Sequence, residues 1–267
     1  MKPVIALLTD FGTRDHYVGA MRGVALGICP DATLADITHD VAPQDVLGGA
    51  LELAAAFTCF PPGTIFLCVV DPGVGSARRG IGAEAGGYQF VAPDNGLLTL
   101  AFRECPPTRV VELTERQYAR AEISRTFEGR DRFAPAAAWL ARGTDLGALG
   151  PPVASWQLLD VPEPRVQDGC LSGVVLRVDR FGNLVTNIDR RCVQQVAGGR
   201  RIVVEAAGCP VAEFVETYAE AAPGSICALF GSSGHLEMAI NGGSAAEALG
   251  LARGARVLVR LKADGPC

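Results

Sequence analysis

Two carboxylates stand directly after continuous apolar runs: Asp10 after Val4 to Leu8, and Asp71 after Ile65 to Val70. Ligands of open α/β sheets bind beyond the carboxyl ends of the strands, so both groups are placed for chemistry. A helix cap or a turn would explain either one alone equally well. Asp10 opens Asp-Phe-Gly-Thr-Arg-Asp, in which Gly12 and Thr13 let the backbone fold back and Asp15 is placed to cap the next helix. A haloacid-dehalogenase-like phosphatase needs a second Asp two residues after the first, and Phe11 and Gly12 provide none. The segment Asp71-Pro72-Gly73-Val74-Gly75-Ser76-Ala77-Arg78-Arg79 has the glycines of a nucleotide loop. It lacks the third glycine of the dinucleotide fingerprint, and the chain has no Gly-Lys-Ser/Thr of a P-loop. What remains is a tight loop that lets Arg78 fold back toward Asp71, where a guanidinium would keep the carboxylate ionised. A surface salt bridge is the plainer alternative.

Three further polar clusters interrupt apolar sequence. Ser124-Arg125-Thr126-Phe127-Glu128-Gly129-Arg130-Asp131 precedes an Ala-rich helix; capping would account for Asp131 and leaves Glu128 and Arg130 open. Asp179-Arg180-Phe181-Gly182-Asn183 separates two apolar runs, the second of which carries Thr186 and Asn187. Polar groups in a buried strand cost free energy unless paired, which points to a ligand edge as much as to a bulge. Gly231-Ser232-Ser233-Gly234-His235 offers hydroxyls and backbone N–H groups suited to a carboxylate. The three histidines, 16, 39 and 235, form no metal-binding spacing. No Gly-x-Ser-x-Gly elbow begins a serine triad.

The elements that must position these groups follow from periodicity. Pro3 to Thr9, Thr33 to Ile37 and Thr64 to Val70 read as strands, with helices from Tyr17 to Ile28, from Gln44 to Phe57 behind Pro43, and from Phe133 to Ala141. Alternation of near-continuous apolar strands with helices predicts an α/β domain with a mainly parallel sheet. From Gly150-Pro151-Pro152 the pattern lapses. We therefore expect an N-terminal α/β domain over 1–155, a linker over 156–169, and a smaller C-terminal mostly-β domain, barrel or sandwich, over 170–267. Its strands are read at Gly173 to Val178, Leu184 to Ile188, Arg201 to Glu205, Ser225 to Phe230, Leu236 to Ile240 and Arg256 to Leu261.

Composition removes several classes. The 267 residues carry 24 Lys+Arg against 29 Asp+Glu, a net charge of -5, which is the wrong sign for a nucleic-acid partner. With 49% apolar and 20% charged residues the chain can bury a core. Its apolar runs are strand-sized, short of the ~20 residues that span a bilayer, so no membrane association is expected. The apolar start meets Asp10 where a signal peptide would continue. Nine scattered cysteines, with no Cys-x-x-Cys, read as reduced thiols of a cytoplasmic protein.

Taken in order, seven motifs resemble the S-adenosyl-L-methionine (SAM) hydrolase family, the SAM hydroxide adenosyltransferases, which also holds the SAM-dependent fluorinases and chlorinases. They are Thr9-Asp10-Phe11-Gly12, His39-Asp40-Val41, Val70-Asp71-Pro72-Gly73-Val74-Gly75, Pro93-Asp94-Asn95-Gly96-Leu97, Gly129-Arg130-Asp131-x-Phe133-Ala134-Pro135, Asp179-x-Phe181-Gly182-Asn183 and Ser232-Ser233-Gly234-x-Leu236-Glu237. The resemblance covers nearly the whole chain. It implies a homotrimer with SAM held at subunit interfaces, between the N-terminal domain of one subunit and the C-terminal domain of the next.

On that resemblance Asp10 accepts the ribose hydroxyls, Asp15 and Asp179 face the methionine ammonium, and Ser232 and Ser233 hold its carboxylate. Asn183 reads the adenine edge with Phe181 against the base, and Asp71 and Arg78 place the water that attacks C5′. No metal and no cofactor is implied, because SAM is the substrate and brings its own sulfonium leaving group. Halogenase members line the nucleophile position with neutral hydroxyls; Asp71 would repel a halide and accept a hydrogen from water, so hydrolysis to adenosine and L-methionine is expected. Glu128 stands where the family's hydrolases carry His, and we expect it to replace that histidine. The alternatives are a SAM-dependent halogenase, a metal-dependent phosphohydrolase using Asp10, Asp71, Asp94 and Asp131, and a non-catalytic SAM or adenosine binding protein.

Overall fold

The computed structural model describes residues 2–167, 169–211 and 213–261. Asp168 of the expected linker, and Cys267, lie outside them. The chain divides into two units, Met1–Asp160 and Val161–Cys267.

The first unit is built on a six-stranded sheet of order β2-β1-β3-β5-β4-β6, with Val4–Thr9 (β1), Thr33–Thr38 (β2), Ile65–Val69 (β3), Gly80–Ala85 (β4), Tyr88–Pro93 (β5) and Pro107–Glu112 (β6). Strands β2, β1, β3 and β5 run parallel, while β4 is antiparallel to both β5 and β6. The apolar strands are continuous because both faces are covered. Ile5, Leu7, Leu67 and Val69 enter one core with Met21 and Ala25 of α1 (Tyr17–Ile28) and Ala137 and Leu140 of α4 (Ala134–Ala141). Ala6, Leu8, Phe66, Cys68 and Val70 enter the other with Leu53 of α2 (Val46–Ala56) and Ala101 of α3 (Thr99–Glu104). That alternation is the period-2 geometry of a strand between two helical layers.

Helix α2 begins at Val46, later than the Gln44 start expected from Pro43. Gln44 has a left-handed backbone, φ 67, and Asp45 caps the helix by accepting from Gly48 N. Asp15 does not cap α1: His16 occupies the cap position and makes no side-chain capping bond. The segment after Pro151 stays bound to this unit, with Val153 N donating to Val110 O at 2.8 Å, Gln157 N to Asp94 Oδ1 at 2.8 Å and Leu159 N to Thr99 Oγ1 at 2.9 Å.

The second unit is a nine-stranded, mostly antiparallel sheet: Arg165–Gln167 (β7), Cys170–Val178 (β8), Leu184–Asp189 (β9), Ile202–Ala206 (β10), Cys209–Val211 (β11), Glu213–Phe214 (β12), Ile226–Phe230 (β13), His235–Ile240 (β14) and Arg256–Leu261 (β15). Their order is β11-β10-β15-β8-β9-β14-β13-β12, with β7 on β8. Val204, Val211 and Val257 near one end of this path share a core with Ala228 and Met238 near the other, so the sheet curls toward a barrel. Two helices that periodicity did not suggest, α5 (Arg190–Ala197) and α6 (Ala245–Leu249), are capped by Asp189 and Ser244 and end at left-handed Gly198 and Gly250.

Among the described residues no helix is long and apolar enough to cross a membrane.

Candidate active site

In the first unit, parallel pairing sets the residues that follow β1, β3 and β5 at one edge of the sheet. Thr9 lies in register with Val69, so Asp10 and Asp71 leave neighbouring strands on the same side. Asn95, just beyond β5, donates from Nδ2 to Val70 O at 2.8 Å and pins the backbone immediately before Asp71. Sequence reading missed Asn95 as a positioning residue; its signal was an amide in a turn directly after a central strand.

The Asp71 loop closes as expected. Arg78 donates to Asp71 with both arms of its fork, Nε to Oδ1 at 2.9 Å and Nη2 to Oδ2. Left-handed Gly75, φ +77, makes this possible, since a Cβ there would sit 2.4 Å from Arg125 O. The same contact brings the Arg125 to Glu128 segment against the loop. A π-turn over Gly129–Phe133 then delivers Glu128 to Arg78, with Glu128 Oε2 2.6 Å from Nη2. Side-chain exposures of 4% for Asp71, 10% for Arg78 and 12% for Glu128 place this trio largely out of water. That removes the surface-bridge reading.

Burial works against the Arg78 cation, but the bonds and charges of Asp71 and Glu128 overcome it and hold the guanidinium above its usual proton affinity. Its flat face rests on Phe133, 5.2 Å from the ring centroid, a position open because Gly80 has no side chain to meet that ring. Glu128 Oε1 lies 3.6 Å from Arg132 Nη2. Glu128 Oε2 is buried and accepts no aligned hydrogen bond. A buried oxygen without a donor is costly unless another group supplies one, and here it faces the same guanidinium as Asp71.

Asp10 Oδ2 accepts from Gln44 N at 2.8 Å, with Gln44 held in its unusual conformation. The turn beneath Asp10 is locked by Thr9 Oγ1 bonded to His39 Nδ1 at 2.8 Å, His39 Nε2 bonded to Asp36 at 3.1 Å, and Gly12 N donating to His39 O. His39 is therefore a satisfied buried histidine. Asp15 is exposed just ahead of α1.

Asp94 is bound by Arg79, and Asp131, fully buried, by Arg130, Arg120 and Ser124 N. Burial would raise the Asp131 carboxyl, yet Arg130, Ser124 N and Arg120 hold it below the ordinary range. It ties the Arg120–Ser124 stretch to the π-turn instead of capping α4. Of the four aspartates a phosphohydrolase would use, Asp71, Asp94 and Asp131 are each held by an arginine of their own. Among the described residues no group of three or more His, Cys, Asp or Glu is placed to hold a metal ion.

In the second unit Asp179 folds its own turn, accepting from Phe181 N at 2.8 Å and Asn183 N at 2.9 Å on Oδ1, and from Asn183 Nδ2 at 2.9 Å on Oδ2. Phe181 is left 78% exposed. Ser232 and Ser233 are exposed in the turn between β13 and β14. Thr186 and Asn187 prove structural. Thr186 Oγ1 donates to Leu236 O, while Asn187 accepts from Val174 N and donates to Pro162 O, beside a register shift in the β8–β9 pair. Their polarity satisfies the bulge.

Comparison with known proteins decides the family. Residues 5–150 match the SAM hydroxide adenosyltransferase N-terminal domain, and residues 173–258 match its C-terminal domain. The chain belongs to the SAM hydroxide adenosyltransferase family. Within this family it is 40% identical over 261 residues to the (R)-S-adenosyl-L-methionine hydrolase of Salinispora tropica, covering 96% of this chain and 97% of that one. It is also 40% identical over 263 residues to the protein of the same name from Thermus thermophilus, covering 95% and 98%. A fluorinase from Actinoplanes is 31% identical over 289 residues, covering 96% and 97%. The solved structure of an uncharacterized conserved protein from Thermotoga maritima superposes with a TM-score of 0.91 at 34% identity, covering 96% of this chain and 99% of that one.

Proposed function

We propose that this SAM hydroxide adenosyltransferase hydrolyses SAM to adenosine and L-methionine, the reaction for which its 40%-identical relatives are named. The observation that carries the reading is the buried Asp71–Arg78–Glu128 trio, in which two carboxylates share one guanidinium at a strand end. Each carboxylate oxygen has two lone pairs, so Asp71 can receive Arg78 and still accept from water. The water oxygen forms a bond to C5′ as the C5′–S bond breaks; the electron pair goes to sulfur, which leaves as a neutral thioether, and the water proton passes to a carboxylate and on to solvent. Holding water and C5′ in line contributes up to ~7–11 kcal/mol. A site with two carboxylates repels halide, which favours water over chloride or fluoride.

In this reading Asp10 takes the ribose hydroxyls, Asp15 and Asp179 the ammonium, and Ser232 and Ser233 the carboxylate of the methionine portion. Phe181 covers adenine. Asn183 gives its amide nitrogen to Asp179, so its amide oxygen is assigned to the adenine amino group. SAM itself supplies the leaving group, and neither metal nor cofactor takes part. The protein acts in the cytoplasm as a homotrimer with its sites at subunit interfaces, and light scattering is expected to give three times the 27.9 kDa chain mass. A monomer in the active preparation would refute that assembly.

The test of the reaction is incubation of purified protein with each sulfonium epimer of SAM, in chloride-free buffer and with added chloride, followed by chromatography of the nucleosides. Adenosine and methionine are expected in both buffers, from the (R) epimer preferentially, and with no effect of chelator. A chlorinated nucleoside that depends on chloride would assign a halogenase, and SAM binding without product would assign a binding protein.

A further inference from the structure

Glu237, on β14, is 6% exposed, and its one hydrogen-bond partner identified is neutral: Tyr218 donates from its hydroxyl to Oε2 at 2.9 Å. A carboxylate buried on a strand is costly to keep even with Arg177 and His235 acting on it, and a leucine or glutamine would fill the same strand position at less expense in stability. The turn carrying Ser232 and Ser233 is nevertheless shaped around it. Gly231 lies so close that a Cβ there would fall 1.8 Å from Glu237 Oε1, so any larger residue would push the carboxylate from this position. On its other side the strand pairs Glu237 with Val185, two residues past Asn183 and the Asp179 turn.

Resting on the SAM reading above, we propose that Glu237, held by Tyr218, is a positioning residue of the ammonium subsite: a second negative charge that acts through Asp179, so that affinity for SAM depends on whether Glu237 is ionised.

The groups facing Glu237 set the sign. Burial raises its proton affinity, the Tyr218 hydrogen bond lowers it, Asp179 raises it, and Arg177 and His235 lower it, with a net upward result. Tyr218 is pushed up to about 12 by burial and by Glu237 and Asp179, so it remains a hydroxyl donor throughout the useful pH range. A cation arriving at Asp179 favours the ionised form of Glu237. Linkage then makes SAM bind more weakly as pH falls through the Glu237 titration. The same raised proton affinity means that the fold is stabilised by the protonated group and loses that contribution as pH rises.

The decisive experiment measures KM, kcat, melting temperature and calorimetric SAM affinity across pH for the wild type, Glu237→Gln and Tyr218→Phe. In the wild type KM is expected to rise as the solution is acidified. Glu237→Gln should show a KM about tenfold higher at neutral pH, the equivalent of one pKa unit of coupling, with the acid-side dependence gone. The loss should fall on KM far more than on kcat, and its melting temperature should equal or exceed that of the wild type. Tyr218→Phe, lacking the donor to the carboxylate, should move the pH midpoint of KM upward. Glu237→Gln with the wild-type KM profile would overturn the proposal, as would a lowered melting temperature with KM and kcat falling together, which is the mark of a structural role. Should Glu237→Gln not fold, an unmoved midpoint in Tyr218→Phe would overturn it equally. Absence of adenosine from the wild type would instead defeat the hydrolase reading, while the calorimetric pH series would still decide the role of Glu237.

Discussion

Asp71→Asn is expected to lower kcat for SAM hydrolysis by about 10²–10⁴-fold, the span that a positioned general base contributes, with a much smaller change in KM. The amide keeps the shape of the carboxylate and one acceptor, but it cannot take the proton that water must give up when its oxygen bonds to C5′. Asp71 also neutralises Arg78, whose side chain is only 10% exposed. Glu128 remains as counter-ion at 2.6 Å, so the variant is expected to fold with a lowered melting temperature. Single-turnover formation of adenosine, followed by chromatography on protein shown to be folded, separates chemistry from stability. Turnover at the wild-type rate would remove Asp71 from the mechanism.

The second large effect is expected at Glu128. Glu128→Gln should reduce kcat by about 10²-fold, the lower end of the range for a positioned base, because Asp71 still receives the water. Gln keeps the reach of Glu and loses the charge, so its Oε1 or Nε2 can hold a water but cannot share its proton. Glu128→His, which installs the side chain that the resemblance to the family's hydrolases implies here, should retain more activity than Gln, since a neutral imidazole accepts a hydrogen bond and a proton. Steady-state rates of the two variants at matched pH check the order. If Gln equals the wild type, Glu128 only balances Arg78 and takes no part in catalysis.

How far the sequence led can be seen element by element. Strands β1 and β3 and helix α1 were legible because their apolar patterns are those of elements buried on two faces or on one stripe. Strands β4 and β6 were not: Gly80-Ile81-Gly82-Ala83-Glu84-Ala85 carries two glycines and a glutamate, and it is held as a strand only by partners on both sides. Helix α5 buries only Val193 and Ala197, too faint a stripe to stand out between strands. The Asp71–Arg78 pair was readable because the glycine-containing loop of six residues between them closes locally. The meeting of Glu128 with Arg78, fifty positions apart, depends on Gly75 lying against Arg125 O, and no spacing rule encodes that contact. The roles of Thr186 and Asn187 stayed open between bulge and ligand edge for the opposite reason, since their partners, Leu236 O, Val174 N and Pro162 O, come from elsewhere in the fold.

The π-turn over Gly129–Phe133 carries a consequence for how such a site can change over time. An α-helix advances by about 100° per residue, and a π-turn absorbs one residue more than an α turn does. Loss of a single residue here would turn the π-turn into an ordinary α turn, leaving α4 seated in its core and the chain before it in phase. The segment can therefore absorb the gain or loss of one residue as well as the exchange of one side chain for another. Selection can retune the nucleophile's surroundings by substitution at position 128 without disturbing the frame that aims it.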